Sequence, residues 1–70
     1  MNRDEEILEV IRELAKAKGK TMSLTSVYRN VVAEGIYTNN FSIRNALKRL
    51  ETRGKIKATG MDKIELLGGS

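Results

Sequence analysis

The chain has 70 residues, 13 of them basic and 9 acidic, for a formal net charge of +4. It contains no Cys, His, Pro, Trp or Gln, which excludes disulfides, thiolate zinc sites, imidazole metal ligands and thiol or imidazole catalysis. A domain this small buries only about 60% of the surface its unfolded chain exposes, so it has little wall with which to enclose a substrate pocket. The expectation is a binding protein, not an enzyme, with no cofactor, no metal and no small-molecule ligand. No apolar run approaches the ~18 residues of a membrane span, and the acidic N-terminus, Met1 to Glu6, lacks the apolar core of a signal peptide. A cytoplasmic location with no membrane partner is expected.

Taken in chain order, the first element is a helix over Asn2 to Ala17. Ile7, Leu8, Ile11, Leu14 and Ala15 recur on one helical face. Asn2 and Glu5 have the spacing of a capping box, and Asp4, Glu5 and Glu6 suit the positive end of the helix dipole. Gly19 is the natural stop. Lys20 to Leu24 reads as a brief edge strand. A second helix follows, capped by Ser23 or Thr25, with Leu24, Val27, Tyr28, Val31 and Val32 as its apolar stripe and Gly35 as its end. Three Val make it a poor helix by propensity, so packing must hold it.

Ile36 to Asn40 is a turn in which Thr38, Asn39 and Asn40 can each cap the third helix, expected over Asn40 to Arg53. Ile43, Ala46, Leu47 and Leu50 form its core face. A rotation of about 100° per residue puts Arg44, Asn45, Lys48 and Thr52 on the opposite face, with Arg49 on a flank. After Gly54 the period changes to two. Ile56 and Ala58 should point inward and Lys55, Lys57 and Thr59 outward. Ile64 and Leu66 should also point inward, and Gly60-Met61-Asp62 joins the two runs as a β-hairpin. The expected class is α+β, mainly α, in a single domain over 1–67 with a flexible tail at 68–70.

The charge is not spread evenly. Residues 1–20 carry five basic and five acidic groups. Between Thr38 and Ala58 there are six basic groups (Arg44, Lys48, Arg49, Arg53, Lys55, Lys57) against Glu51 alone. Such a block marks either a solvated face or a polyanion-binding one.

The run from Ser42 to Ile56, SIRNALKRLETRGKI, resembles the recognition-helix signature of winged helix-turn-helix DNA-binding domains. A Ser and an aliphatic residue open the helix. Ala46-Leu47 and Leu50 face the core. Arg53-Gly54-Lys55-Ile56 starts the wing. The resemblance extends over about residues 3–67. MarR-, Lrp- and penicillinase-repressor-type regulators share the Ala-Leu-basic-basic-Leu-Glu…Gly run, and the winged helix of archaeal origin-binding initiators has a similar Tyr-bearing second helix and wing start; the pattern does not single out a subfamily. The Z-form nucleic-acid binders do not fit, because their recognition-helix Asn and Tyr would fall on Arg44 and Lys48 and their wing Pro-Trp is absent.

The resemblance implies that the third helix enters the major groove of double-stranded DNA while the wing meets backbone or minor groove. Asn39, Asn40, Ser42, Arg44, Asn45, Lys48 and Arg49 are then candidate contacts from the third helix, and Lys55, Lys57 and Lys63 from the wing. Arg44 and Lys48 can reach guanine or phosphate, and Asn45 can pair with adenine. Each also has a plainer reading. Arg44 and Lys48 are a solvated helix face, one of Asn39 and Asn40 is the cap, and the lysines block sheet-edge aggregation. Phe41 is expected to fold under the turn against Tyr37 or the first helix. The first helix's carboxylates are expected to form solvated pairs at i, i+4.

The overall expectation is a nucleoid-associated transcriptional regulator from a prokaryote or one of its viruses, pairing as a homodimer through the first helix near Val10. The alternatives are a winged-helix adaptor that binds other proteins, or the DNA-binding module of a replication initiator.

Overall fold

The computed structural model describes residues 2–67; the tail expected at 68–70 lies outside them. Helix α1 spans Arg3–Lys18, strand β1 Thr21–Ser23, helix α2 Leu24–Ala33, helix α3 Asn40–Thr52, strand β2 Ile56–Gly60 and strand β3 Lys63–Leu66. The class is α+β, mainly α, as expected. Among the described residues no helix is long and apolar enough to cross a membrane.

Each helix begins where a short polar side chain satisfies an orphan backbone donor. Asn2 Oδ1 accepts from Glu5 N at 2.9 Å, Ser23 Oγ from Ser26 N at 3.0 Å and Asn39 Oδ1 from Ser42 N at 2.7 Å. The ambiguous caps therefore resolve to Ser23 and Asn39. Gly54 sits at φ 76°, a left-handed conformation that a side chain disfavours, and there the chain leaves α3 for the hairpin.

The strands form one antiparallel sheet in the order β1-β3-β2. Thr21 pairs with Glu65, Met22 with Ile64 and Ser23 with Lys63; on the other edge Ile56 pairs with Leu66, Lys57 with Glu65 and Ala58 with Ile64. A register shift between Ala58 and Gly60 marks a β-bulge at Thr59. Three helices and a three-stranded sheet with these connections are compatible with a winged helix.

All the elements share one core. Ile7, Ile11, Val27, Val31, Ile43 and Ala46 are completely buried, with Leu8, Leu50, Ile56, Met22, Ile64 and Leu66 around them. Three side-chain placements differ from the sequence reading. Phe41 is 73% exposed, because Ile36 is buried at that end of the core and Arg3 stacks on the Tyr37 ring at 5.3 Å, leaving no slot under the turn. Ala58 is exposed. It pairs with the buried Ile64, but β2 is an edge strand and Ala58 opens onto the cleft beside Arg44 and Lys48. Val32 is 43% exposed, at the edge of the α2 stripe.

In so small a core a single cavity weighs heavily. Ile43→Ala should cost about 2–5 kcal/mol out of a total stability of about 5–15 kcal/mol. In urea denaturation the midpoint should fall while the slope stays unchanged.

Candidate nucleic-acid interface

The outer face of α3 is built by the helical period. With Ile43, Ala46, Leu47 and Leu50 turned into the core, the rotation of the helix carries Phe41, Lys48 and Thr52 to the outermost line, with Arg44 on one flank and Asn45 on the other. Arg44 and Lys48 are exposed, while Ser42 and Asn45 are half-buried. Arg44 and Lys48 share a cleft of about 260 Å³ with Tyr28 from α2, Glu51 from α3, and Ala58 and Met61 from the hairpin. The two cations thus face the space between the helix and the wing.

The hairpin is held at a fixed angle to that helix. Glu51 Oε2 accepts from Ala58 N at 3.4 Å, so the one carboxylate in the basic block is directed at the wing backbone. At the other end Leu24 N donates to Asp62 O at 2.9 Å, and Thr25 Oγ1 lies 3.4 Å from both Asp62 carboxylate oxygens. The wing turn is thereby tacked to the start of α2, where the helix dipole favours a carboxylate. Met61 projects from the turn fully exposed.

The sheet register divides the wing lysines from the α3 cations. Lys57 is the cross-strand neighbour of Glu65, and strand alternation places both on the sheet face opposite Ile56, Ala58 and Ile64. Lys63, two residues before Glu65 on β3, shares that outer face. Lys55 lies just before β2, with its amide donating to Leu50 O at 3.0 Å and its carbonyl accepting from Leu67 N at 2.9 Å. All three lysines are exposed. The candidate residues therefore form two groups, Arg44 and Lys48 in the helix–wing cleft and Lys57 and Lys63 on the far side of the wing.

Arg49 stands apart from both groups. Its Nε donates to Asp4 Oδ2 at 2.8 Å and its Nη2 to Asp4 Oδ1 at 2.9 Å, a bidentate grip joining α3 to the first turn of α1. Asp4 is only 7% exposed. This corrects the reading of the α1 carboxylates as uniformly solvated: a buried carboxylate requires a charged partner, and Arg49 supplies it. The remaining α1 pairs are exposed and fall at i, i+3 rather than i, i+4, Arg12 with Glu9 at 2.6 Å and Lys16 with Glu13 at 3.2 Å. Asn39 is likewise occupied, its Oδ1 closing the helix cap, while Asn40 is exposed.

Arg29 was not among the residues expected at this surface. It is exposed on α2 and lines a shallow cleft of about 540 Å³ with Thr25, Tyr28, Val32, Ala33 and Asn40, at the junction of the two helices. Nothing in the sequence singles it out: on α2 it falls opposite Val27 and Val31, and only its place against Asn40 brings it to this surface. No protein-family model, no curated protein and no solved structure matches the chain.

The Arg49 hydrogen bonds hold the Asp4 carboxyl below the usual carboxylate range, against the opposing effect of burial. A depressed folded-state pKa gives stability that is present above the unfolded value of 3.8 and is lost as pH falls through the lower, folded value. Asp4→Asn should accordingly lower Tm by several degrees at pH 7. The gap between variant and wild type should close as pH is taken below the ordinary Asp range, which thermal melts followed by circular dichroism at stepped pH would measure.

Proposed function

We propose that the protein binds double-stranded DNA sequence-specifically, as a winged helix-turn-helix domain of the transcriptional-regulator kind. The observation that carries this reading is the exposed Arg44–Lys48 pair on α3, facing a wing that is hydrogen-bonded in place. Arg44 presents the fork that grips guanine O6 and N7 in the major groove, and Lys48 reaches the same edge or a phosphate. Asn45 is the candidate reader of adenine. Lys57 and Lys63, on the outer face of the wing, meet flanking phosphates and carry no sequence information. Asn40 and Arg29, where α2 meets the start of α3, face a phosphate favoured by the α3 N-terminus. Arg49 acts at one remove, by fixing the angle of α3 against α1.

The exposed Phe41 favours a second reading, in which α3 docks an apolar partner protein. The two readings separate on salt. With about six phosphates neutralised, log affinity for DNA should fall against log salt with a slope near −5. Absence of a salt-dependent gel shift on duplex DNA would overturn the DNA-binding reading and leave the protein-docking one.

Within the DNA reading the residues divide by role. Arg44→Ala should lose discrimination between an enriched site and random duplex, at about 1–3 kcal/mol if the contact is bidentate. Lys57→Ala should weaken binding equally on both duplexes and reduce the salt slope by about 1. Fluorescence anisotropy on the two duplexes measures both, and the same pattern of loss in both variants would contradict the assignment.

A further inference from the structure

A second surface lies on the other side of the molecule. α1 and α2 leave between them a groove of about 350 Å³. Its apolar lining is Val10, Leu14 and Ile36, and its carboxylates are Glu6, Glu9, Glu13 and Glu34. No basic residue lines it. Arg12 and Lys16, the partners of Glu9 and Glu13, are outside the lining. Nor does any lining residue come from α3 or the hairpin. On α1 the groove residues Glu6, Val10 and Glu13 lie about half a turn around the helix from Asp4, the residue that meets α3.

We infer that this groove docks a cationic amphipathic helix of a partner protein, with an apolar side chain on Val10, Leu14 and Ile36 and Lys or Arg side chains against the glutamates. Three features select this occupant. The acidic rim and apolar floor are the complement of a basic amphipathic face, the helix-in-groove mode of recognition. Glu6 to Glu13 spans seven residues, about 10 Å at the helical rise, which matches two turns of an incoming helix with cations at i, i+4 and i+7. A second copy of this chain fits poorly, because a two-fold contact sets the same patch against itself and would bring together Glu6 and Glu34, the groove carboxylates not engaged with Arg12 or Lys16. Pairing through Val10 is therefore disfavoured on this surface. The α3 face stays open when the groove is filled, so one molecule can hold both ligands.

The test uses the whole protein, isotope-labelled, titrated with a synthetic Leu/Lys amphipathic peptide of about 15 residues, long enough to form helix. A Leu/Glu peptide and a Lys/Ser peptide of the same length serve as controls. Saturable binding of the Leu/Lys peptide is expected, with amide shifts concentrated at Val10, Glu13, Leu14, Asn30, Glu34 and Ile36. Neither control should bind comparably. Glu6→Lys with Glu34→Lys should weaken binding on the order of tenfold or more, and Val10→Lys, with its fold checked by circular dichroism, should do the same. Shifts centred on α3 or the hairpin, equal binding of the Lys/Ser peptide, or no saturable binding would each overturn the inference. None of these outcomes bears on the DNA gel shift, so the two proposals stand or fall separately.

Discussion

Strand β3 is paired on both edges, and the placement of the wing against the helices depends on it. Through Met22 and Ile64 it is bound to β1, and so to the segment between α1 and α2. Through Leu66 and Glu65 it is bound to β2, which emerges from α3. An isolated two-stranded hairpin is marginal in water; the third strand and the buried Ile56, Ile64 and Leu66 turn this one into part of the core. The contacts from Glu51 and to Leu24 then need only set its angle. With no Cys to form a disulfide, the domain depends on this sharing, because each element buries its apolar face only when the others are present.

Much of the fold was legible in the sequence because it follows from local rules. Asn2, Ser23 and Asn39 announce helix starts by their own hydrogen-bonding chemistry. Ile43, Ala46, Leu47 and Leu50 name the buried face of α3 by spacing alone, and the change of period after Gly54 marks the hairpin. What the sequence could not show depends on contacts between distant residues. Asp4 and Arg49 are 45 positions apart, and nothing near either one distinguishes it from its exposed neighbours. Ala58 has the alternation of an inward residue and faces the inward side, but burial also needs something on top of it. Phe41 stays exposed because Ile36 is buried at that end of the core and Arg3 stacks on Tyr37, leaving no place under the turn.

The candidate interface was legible in composition and only partly in arrangement. The basic block between Thr38 and Ala58 is a fact of the sequence, and α3 does display Arg44 and Lys48. Strand alternation already places Lys57 on the outward face of the hairpin, and the register agrees; the bulge at Thr59 leaves no readable mark. Arg49, counted among the cations of a binding face, is engaged in joining two helices. Arg29, which lies outside the block, stands where the two helices of the turn meet. A sum of charges thus overstates one residue and omits another, and the three-dimensional arrangement redistributes the same total.

That redistribution has a consequence for how the molecule meets other molecules. The groove between α1 and α2 is lined by carboxylates, while Arg44, Lys48, Lys55 and Lys63 stand exposed on α3 and the hairpin, so the charge of the domain is unevenly distributed. In the field of a polyanion such a body experiences a torque before it touches anything, and it arrives with α3 and the wing leading. Orientation is normally the slow part of protein association. If the proposed DNA binding holds, the charge pattern would supply it during approach, and added salt, by shortening the reach of the field, would slow arrival as well as weaken binding.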